Sequence, residues 1–589
     1  MMFWFLLACH ELAPTEPSAG PPPFGMVLAN DNQLYAGVGS IDISPTVTET
    51  FTDLDADGEF DGCVNDPLGP DSSRPGCDEP FDDVNGNGYF DAIWIAGYGE
   101  RRAATGVSDP LYARAVVLSL NGEYVALVGV DSVGLLESRV RQARLLLDAE
   151  GFEMDRVLVS SSHSHQSPDV VGIWGDTTAL YTGINQEYIE SLPPAIHDAV
   201  AMAAGSMVPV SPVVGTVATG EIDPDLNGTL FGGTSPNPHQ IGTIDDLRDP
   251  IIVDDQLLGM AFDGPDGRLV TIMSFASHPE TIGDRNTEVS ADYVGFMRDT
   301  VEASQGGLAV FLSGALGGMM SAVTSILPAL DDQGAKVTDA AGDTVWVEGE
   351  SWELARSQGI LLGQAVPLAL TDSQPWTKIA VRSQPLLVPV SNVFYQVAFR
   401  TGLLDSKLED LDTSTDCPGY GTDPNVLGCV PTGIWRVELG PATLATMPGE
   451  LLPELFYGVP DDPAMADASL RSEDRRWDEH DPDCNDVPWA DCKDVESVGD
   501  CDCLHYHAEP YVHATDGTPI IREMLPGTYR APIGITNGYC GYLVPDPDFN
   551  TYVSQLTDDG DHYEETNSCS PSFTPLLLEA WVLLTEGSG

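Results

Sequence analysis

The most constraining stretch of this sequence is residues 157–168, which read VLVSSSHSHQSP. Its first half is apolar and β-branched, as in a buried strand, and its second half is a run of small residues that carries His163 and His165. Strand ends are where folds place functional side chains. On an extended backbone an H-x-H pair points both imidazoles to one side, which suits a zinc ligand and a neighbour. Alone, the pattern also fits ordinary polar loop histidines.

A second strand is predicted to end in the same way. Residues 274–279 read SFASHP, and Pro279 favours an extended conformation for His278. A zinc site needs a third and usually a fourth ligand, and the turn MPGEL at 447–451 offers Glu450. Together these segments predict a metal centre built at strand ends.

Hairpins and helices are mixed along the chain. Apolar runs at 115–120 and 123–131 flank Asn-Gly, which favours a tight hairpin turn, and a second hairpin is predicted from 257–262 and 268–276. An amphipathic pattern predicts a helix at 137–149. The predicted class is α/β (mixed α+β) with a large mixed sheet.

The composition indicates a globular protein and argues against nucleic-acid binding. Hydrophobic residues make up 42%, which is enough for a core, and we expect one large catalytic domain over 34–589. Only 25 Lys and Arg stand against 91 Asp and Glu, for a net charge of −66. Such a charge repels a phosphate backbone, so nucleic acid is excluded as a partner.

An Asp- and Gly-rich insertion at 46–92 has almost no hydrophobic periodicity and is not expected to fold on apolar burial alone. It contains two segments of the pattern D-x-[DN]-x-[DN]-G-x-x-D, which suits Ca²⁺ although the Glu at the twelfth position of an EF-hand is absent. The predicted oxygen ligands are Asp53, Asp55, Asp57, Asp61, Asp83, Asn85, Asn87 and Asp91. Solvated acidic loops without a metal are the alternative.

Apart from Cys9, the cysteines are even in number, which favours disulfides. Plausible local pairs are Cys63 with Cys77, Cys417 with Cys429, and Cys540 with Cys569. Four cysteines remain in a Cys-rich acidic insertion at 470–515: Cys484, Cys492, Cys501 and Cys503. Disulfides among these four and a zinc knuckle of Cys501, Cys503, His505 and His507 are rival interpretations.

The N-terminus predicts export. Residues 6–9, LLAC, are similar to a bacterial lipobox, so 1–9 is interpreted as a lipoprotein-type signal, short and without a preceding basic residue, in which Cys9 would be acylated. Residues 10–33 then form a tether. The expected location is the bacterial cell envelope or the extracellular space, and a chance apolar start is the alternative.

Several segments together resemble the family of neutral and alkaline, non-lysosomal ceramidases. They are AGVG at 36–39, HSH at 163–165, FASHP at 275–279 with SADY at 290–293, PGE at 448–450 and NGYCGY at 537–542. They occur in the family's order and cover about residues 34–565. The resemblance implies a zinc-dependent hydrolase that cleaves the amide bond of an N-acyl lipid such as ceramide to a fatty acid and a sphingoid base.

The resemblance also implies a role for each matching residue. The zinc ligands would be His163, His278, Glu450 and Tyr542, and His165 would contact the scissile group. Tyr563, in HYE at 562–564, resembles a tyrosine that helps hold the substrate carbonyl. A phenolate is an unusual zinc ligand, so a buried core tyrosine is the alternative for Tyr542.

Two departures from the family bear on the reaction, and a third concerns the domain organisation. After a strand at 308–312, where the family has a catalytic serine, this chain has Met320, with Ser321 one residue later. No arginine occurs in 223–238, where the family has one near the substrate. The family's C-terminal immunoglobulin-like domain is also not expected here.

These departures keep two other functions open. One is a hydrolase that diverged within the family and cleaves another amide or an ester. The other is a metal-stabilised surface binding protein with an inactive site. The order of His163, His278, Glu450 and Tyr542 favours an enzyme, and a lipid substrate with access from a membrane through Cys9 is the leading expectation.

Overall fold

Apolar strands, tight turns and amphipathic helices give the chain a mixed α/β architecture. The computed structural model describes residues 22–61, 79–176, 180–218, 243–244, 254–318, 321–323, 325–458, 497–498, 501–502, 519–545, 549 and 563–586. Its strands are β1 (Leu34–Asp42), β2 (Gly106–Val107), β3 (Tyr112–Leu120), β4 (Glu123–Val130), β5 (Val157–Ser161), β6 (Val208–Pro209), β7 (Ser211–Ala218), β8 (Gln256–Gly264), β9 (Gly267–Phe275), β10 (Glu288–Val289), β11 (Leu308–Ser313), β12 (Ile326–Pro328), β13 (Trp346–Glu348), β14 (Ile379–Pro389), β15 (Cys429–Leu439), β16 (Ala442–Thr446), β17 (Glu450–Leu451), β18 (Ser497–Val498), β19 (Cys501–Asp502), β20 (Tyr529–Ile533) and β21 (Tyr542–Leu543). Its helices are α1 (Glu137–Ala149), α2 (Gln186–Gly205), α3 (Tyr293–Gln305), α4 (Trp352–Ala369), α5 (Val393–Thr401), α6 (Pro453–Tyr457), α7 (Ile521–Met524), α8 (Tyr563–Thr566) and α9 (Phe573–Glu586).

The first large sheet has the strand order β5-β4-β3-β1-β6. Strands β3 and β4 form the predicted hairpin, and both turn residues, Asn121 and Gly122, have a positive φ, as a type I′ turn requires. Helix α1 spans the predicted residues and returns the chain so that β5 pairs in parallel with β4. The histidine-bearing loop therefore leaves the carboxyl end of a parallel strand pair.

The second sheet repeats this arrangement with different strands. Its order is β11-β9-β8-β7, with β7, β8 and β9 antiparallel in turn and β11 parallel to β9. Strands β8 and β9 are the second predicted hairpin. Helix α3 precedes β11 as α1 precedes β5. The two halves are thus a structural duplication, which the sequence did not predict.

The two sheets pack face to face. Val116 and Leu127 of the first sheet share a buried cluster with Ile272 and Val310 of the second. Helices α1 and α2 cover the outer face of the first sheet, and α3 and α4 cover that of the second. Because each large aliphatic side chain contributes roughly 1.5–3 kcal/mol when buried, this cluster is a main source of stability. The result is four layers in the order helix, sheet, sheet, helix.

A third sheet, β14-β15-β16-β20, packs beside these layers and against α9. Two of the predicted disulfides form here, Cys417–Cys429 and Cys540–Cys569. The second ties the loop before β21 to the segment after α8. The pair Cys63 and Cys77 and the side chains of the other four cysteines lie outside what the structure describes.

Helix α9 (Phe573–Glu586) is rich in apolar residues. It buries Leu577 and Trp581 in the core beside the third sheet. Among the described helices, none combines the length and the apolar character needed to cross a membrane. Helix α9 is therefore a core element of the described structure.

The insertion at 46–92 contains a small buried core. Phe51, Phe60, Phe90 and Trp94 form a buried aromatic cluster, and the bridge between Phe51 and Phe81 joins the two acidic segments. Each acidic segment carries two phenylalanines nine residues apart, Phe51 with Phe60 and Phe81 with Phe90, and this spacing is not a strand or helix period. A periodicity test consequently missed them.

Candidate metal centre

The loops that follow β5 and β9 meet at one end of the two central sheets. The backbone N–H of His163 donates to the carbonyl of Ser132, which follows β4, and the N–H of His165 donates to the carbonyl of Pro279 (both 2.9 Å). The second bond joins the loop of the first sheet to that of the second. Side chains from both halves of the duplication are thereby brought to one place.

Three buried histidines converge there. The ring centroids of His163 lie 5.0 Å from those of His165 and His278, and the rings of His165 and His278 are 5.6 Å apart. One nitrogen of each ring lies within 4.8 Å of a nitrogen of the others. This grouping has the dimensions of a metal-ligand set.

The sequence suggested an extended backbone at the H-x-H pair, and this is wrong. His163 has a φ of 70°, in the left-handed region that few non-glycine residues adopt. Its Nδ1 donates to the carbonyl of Val133, which leaves Nε2 for the centre. The sharp turn, and not strand geometry, places His163 and His165 together.

Glu450 supplies an oxygen between two of the histidines. Its Oε2 lies 3.2 Å from Nε2 of His278 and 3.5 Å from Nε2 of His163. Burial opposes its charged form, but the two histidines outweigh this and hold the pKa of the carboxyl well below its usual range. Glu450 is therefore an ionised carboxylate, which is the form that binds a metal.

Tyr539 is a site residue that the sequence analysis did not single out. Its hydroxyl donates to Oε1 of Glu450 at 2.7 Å, and its ring packs 5.9 Å from that of His163. Burial and the nearby carboxylate raise the pKa of Tyr539 well above its usual value, so it remains a donor. Its position in NGYCGY was noted only as part of a family signature.

His165 is buried but has a different environment. Burial, with His163 and His278 nearby, holds the pKa of His165 well below its usual value, so the ring is neutral at neutral pH. Its Nδ1 lies 3.5 Å from the carboxylate of Glu280, and Tyr98 packs edge-on against the ring at 5.3 Å. A neutral imidazole can either accept a proton or bind a metal.

Arg102 holds the backbone that carries His165. Its guanidinium donates to the carbonyl of His165 at 3.1 Å and to Oε1 of Gln166 at 2.7 Å. Burial lowers the pKa of Arg102 to about 10, which still leaves it charged. A buried cation therefore fixes the loop, and sequence spacing offered no signal of it.

The remaining predicted site residues are Tyr542, Tyr563 and Ser321. Tyr542 is buried and pairs through its backbone with Glu450 in the two-stranded sheet of β17 and β21. Tyr563, half exposed, lies with its ring 5.8 Å from that of Tyr542. Ser321 is buried and its hydroxyl accepts from the N–H of Val323, and no contact of the described residues joins it to a histidine. Met320 and the segment 223–238 lie outside the described residues.

The predicted calcium loops each receive a buried glutamate from the other half of the insertion. Glu79 accepts from the N–H groups of Leu54 and Asp61 in the first loop. Glu49 accepts from those of Val84 (3.1 Å) and Asp91 (2.8 Å) in the second. Carboxylate oxygens of Asp53, Asp55 and Glu79 lie within 4.8 Å of one another, as do those of Asp55, Asp57 and Asp61.

The first predicted calcium loop also touches the segment beside the histidine group. Gly58, with a φ of 86°, lies so close to the backbone of Arg285 that a side chain would clash. Arg285 belongs to the loop that begins with Glu280. The acidic insertion is thus in direct contact with the loop that lines the histidine group.

The donor set fits zinc better than a hard cation. Three imidazoles and one carboxylate are nitrogen and oxygen donors of the kind that hold tetrahedral or catalytic zinc. Calcium and magnesium prefer oxygen ligands, as in the acidic loops. The residues present therefore fit zinc at the histidine group.

Comparison with known proteins identifies the fold. No protein-family profile matches the chain, and no curated protein matches it by sequence. Among solved structures it is similar to neutral ceramidase from Pseudomonas aeruginosa, with a TM-score of 0.52 and 13% identity over 94% of this chain and 74% of that one. It is also similar to a ceramidase complexed with C2, with a TM-score of 0.51 and 14% identity over 94% and 75%. The chain therefore has the mixed α/β fold of the neutral ceramidase structures.

Proposed function

We propose that this protein is a zinc-dependent hydrolase of the neutral ceramidase family that cleaves the amide bond of an N-acyl lipid such as ceramide. The observation that carries the proposal is the buried group of His163, His165, His278 and Glu450 at the loop ends of a ceramidase-like fold. Burying a carboxylate and three imidazoles costs free energy unless these groups are paired or coordinate a metal.

The ligands of the zinc would be His163, His278 and Glu450, with Tyr542 as the fourth. A zinc ion bound there supplies a Lewis acid that polarises the amide carbonyl and activates water. Tyr539 orients Glu450, and the carbonyl of Val133 fixes the ring of His163. Both contacts hold the ligands in position.

Proton transfer is assigned to His165. Because its ring is neutral, it can accept a proton from the attacking water and pass it to the leaving nitrogen, so that acid and amine form together. Glu280 beside Nδ1 stabilises the protonated ring in between. Donation to the developing oxyanion is assigned to Tyr563, whose ring lies 5.8 Å from that of Tyr542.

The position of Ser321 favours one alternative function, in which the protein is a diverged hydrolase of another amide or an ester. The family's catalytic serine has no counterpart at Met320, and Ser321 bonds to its own loop. An ester has a better leaving group and requires less help in expelling it. The same zinc group would serve both reactions.

The acidic insertion is proposed to bind two structural calcium ions. Support comes from the converging carboxylates of the first loop and from the reciprocal glutamates, which bring a buried carboxylate to each loop. Calcium would neutralise charges that otherwise repel one another.

Export and an acyl anchor at Cys9 belong to the same proposal. The lipobox-like residues 6–9 support the anchor, and the two disulfides support an oxidising compartment. An anchored enzyme would meet lipid substrates at the membrane.

The substrate is tested by comparing purified protein on N-acylsphingosine, on a simple N-acyl amine and on the matched ester of each. We expect fatty acid release from N-acylsphingosine, lost in His163→Ala. Release from the esters alone would favour the alternative, and zinc binding without any release would contradict a hydrolase.

A further inference from the structure

We propose that the exposed face of α5 is the surface through which this protein docks on a neutral lipid membrane, beside the elements that carry Tyr542 and Tyr563. The inference rests on the proposed function, since it explains how a lipid substrate reaches the histidine group. Its evidence is separate, namely the packing, exposure and charge of one helix.

Helix α5 is anchored to residues 566–568, which follow Tyr563 and pair with Tyr542. At its start, the amide of Asn392 donates to the carbonyls of Thr566 and Ser568 (both 2.7 Å). Tyr395 donates to the carbonyl of Asn567 at 3.2 Å, and the same carbonyl accepts from the N–H of Tyr542 at 3.1 Å. One side of the helix therefore rests on the wall of the metal centre.

The other side presents large apolar groups to solvent. Val393, Phe394 and Val397 are 50%, 58% and 46% exposed. Their spacing of one and three residues places them on one helical face. Tyr563, 51% exposed, begins α8, and the last residue of α8, Thr566, accepts from Asn392, so a second exposed ring lies on the element next to α5.

The chain segment that contains α5 carries no acidic residue of its own. Residues 373–404 contain no Asp or Glu, the longest such run in the chain, and they include Lys378, Arg382 and Arg400. A protein of net charge −66 is repelled by anionic surfaces and by other copies of itself. Helix α5 itself therefore adds no carboxylate to a face that would approach a lipid layer.

Neutral lipid is the occupant that these features favour. Interfacial helices that bind anionic lipid carry several Lys and Arg on their polar face, whereas α5 has only Arg400. Apolar side chains without such charges insert into zwitterionic layers. The substrate would then pass from the layer to the tyrosines without crossing the acidic surface.

The test is flotation with phosphatidylcholine vesicles, using the full chain with Cys9→Ser so that no acyl group contributes. We compare it with a Val393→Ser, Phe394→Ser, Val397→Ser variant. The matched control is Leu145→Ser, Leu146→Ser on α1, which removes two exposed leucines of similar exposure elsewhere. Thermal unfolding verifies that each variant is folded.

We expect the bound fraction to fall at least ten-fold in the α5 variant and to stay unchanged in the control. Vesicles with phosphatidylglycerol should bind less than phosphatidylcholine vesicles at low salt. Equal binding by the α5 variant and the parent, or an equal loss in the control, would overturn the proposal. Stronger binding to the anionic vesicles would do the same.

Hydrolysis of a water-soluble short-chain amide separates this proposal from the proposed function. The α5 variant should cleave it as fast as the parent protein. If neither protein cleaves it but only the α5 variant loses vesicle binding, the docking surface stands and the hydrolase assignment fails.

Discussion

The hydroxyl of Tyr539 donates to one oxygen of Glu450 while the other oxygen of Glu450 faces His278 and His163. One carboxylate thus connects a tyrosine from the NGYCGY segment with histidines from both central sheets. The connection implies that Tyr539 sets the orientation of Glu450, the proposed metal ligand.

Tyr539→Phe should lower zinc affinity about 10- to 100-fold, because contacts to ligating groups are typically worth that much. The protein should remain folded, and competition with a zinc chelator measures the change. Tyr188→Phe is the matched control, since it removes a buried hydroxyl for which no partner is found among the described residues. Equal zinc affinity in Tyr539→Phe and the parent would refute the role.

Glu280→Gln should slow amide hydrolysis without reducing the zinc content. Its carboxylate lies 3.5 Å from Nδ1 of His165 and would stabilise the ring when it carries a proton. We expect kcat to fall on the order of ten-fold. Without the negative charge of Glu280 the pKa of His165 should fall, so the limb of the pH profile that reports deprotonation of His165 should shift to lower pH. Metal analysis alongside steady-state kinetics distinguishes this from loss of the metal, and an unchanged kcat would contradict the assignment.

Glu79→Gln and Glu49→Gln should each weaken one calcium site. Each glutamate closes the loop of the other half of the insertion, so each single variant should lose about half of the thermal stabilisation that calcium provides. Unfolding midpoints across a calcium titration measure this. Asp266→Asn, in an exposed hairpin turn, is the control. If calcium leaves the midpoint of the parent protein unchanged, the two-site hypothesis is wrong.

Asp254 should make the protein less stable as pH rises. Burial raises the pKa of its carboxyl to about 7, although it accepts a hydrogen bond from Tyr457. The folded state therefore holds a proton that the unfolded state releases near pH 4, so the free energy of unfolding falls between about pH 4 and pH 7. Asp254→Asn should match the parent at low pH and exceed it at pH 8 in unfolding midpoint. A variant less stable at pH 8 would contradict this.

The sequence predicted the elements that carry local signals. Asn-Gly marked the first hairpin, and helix α1 followed from its amphipathic pattern with the observed bounds. His163, His165, His278 and Glu450 were predicted because each sits at the end of a recognisable strand or turn. The fold resemblance followed from their order along the chain.

Features formed by distant residues escaped prediction. Tyr539 and Glu450 are in contact although 89 residues separate them in the sequence. Arg102 donates to a backbone carbonyl of the His165 loop, and a backbone carbonyl has no sequence signature. Glu49 and Glu79 lie outside the D-x-D pattern, yet they close its loops. The positive φ of His163 arises from contacts with the loop after β4, which a strand pattern cannot show.

The most direct test of the central claim is removal and restoration of the metal. The purified protein is stripped with a chelator, dialysed, and assayed for fatty acid release from N-acylsphingosine before and after addition of one equivalent of zinc. The account predicts that hydrolysis disappears, that zinc restores it, and that zinc restores nothing in His278→Ala. Undiminished hydrolysis by protein that metal analysis shows to be free of zinc would contradict it.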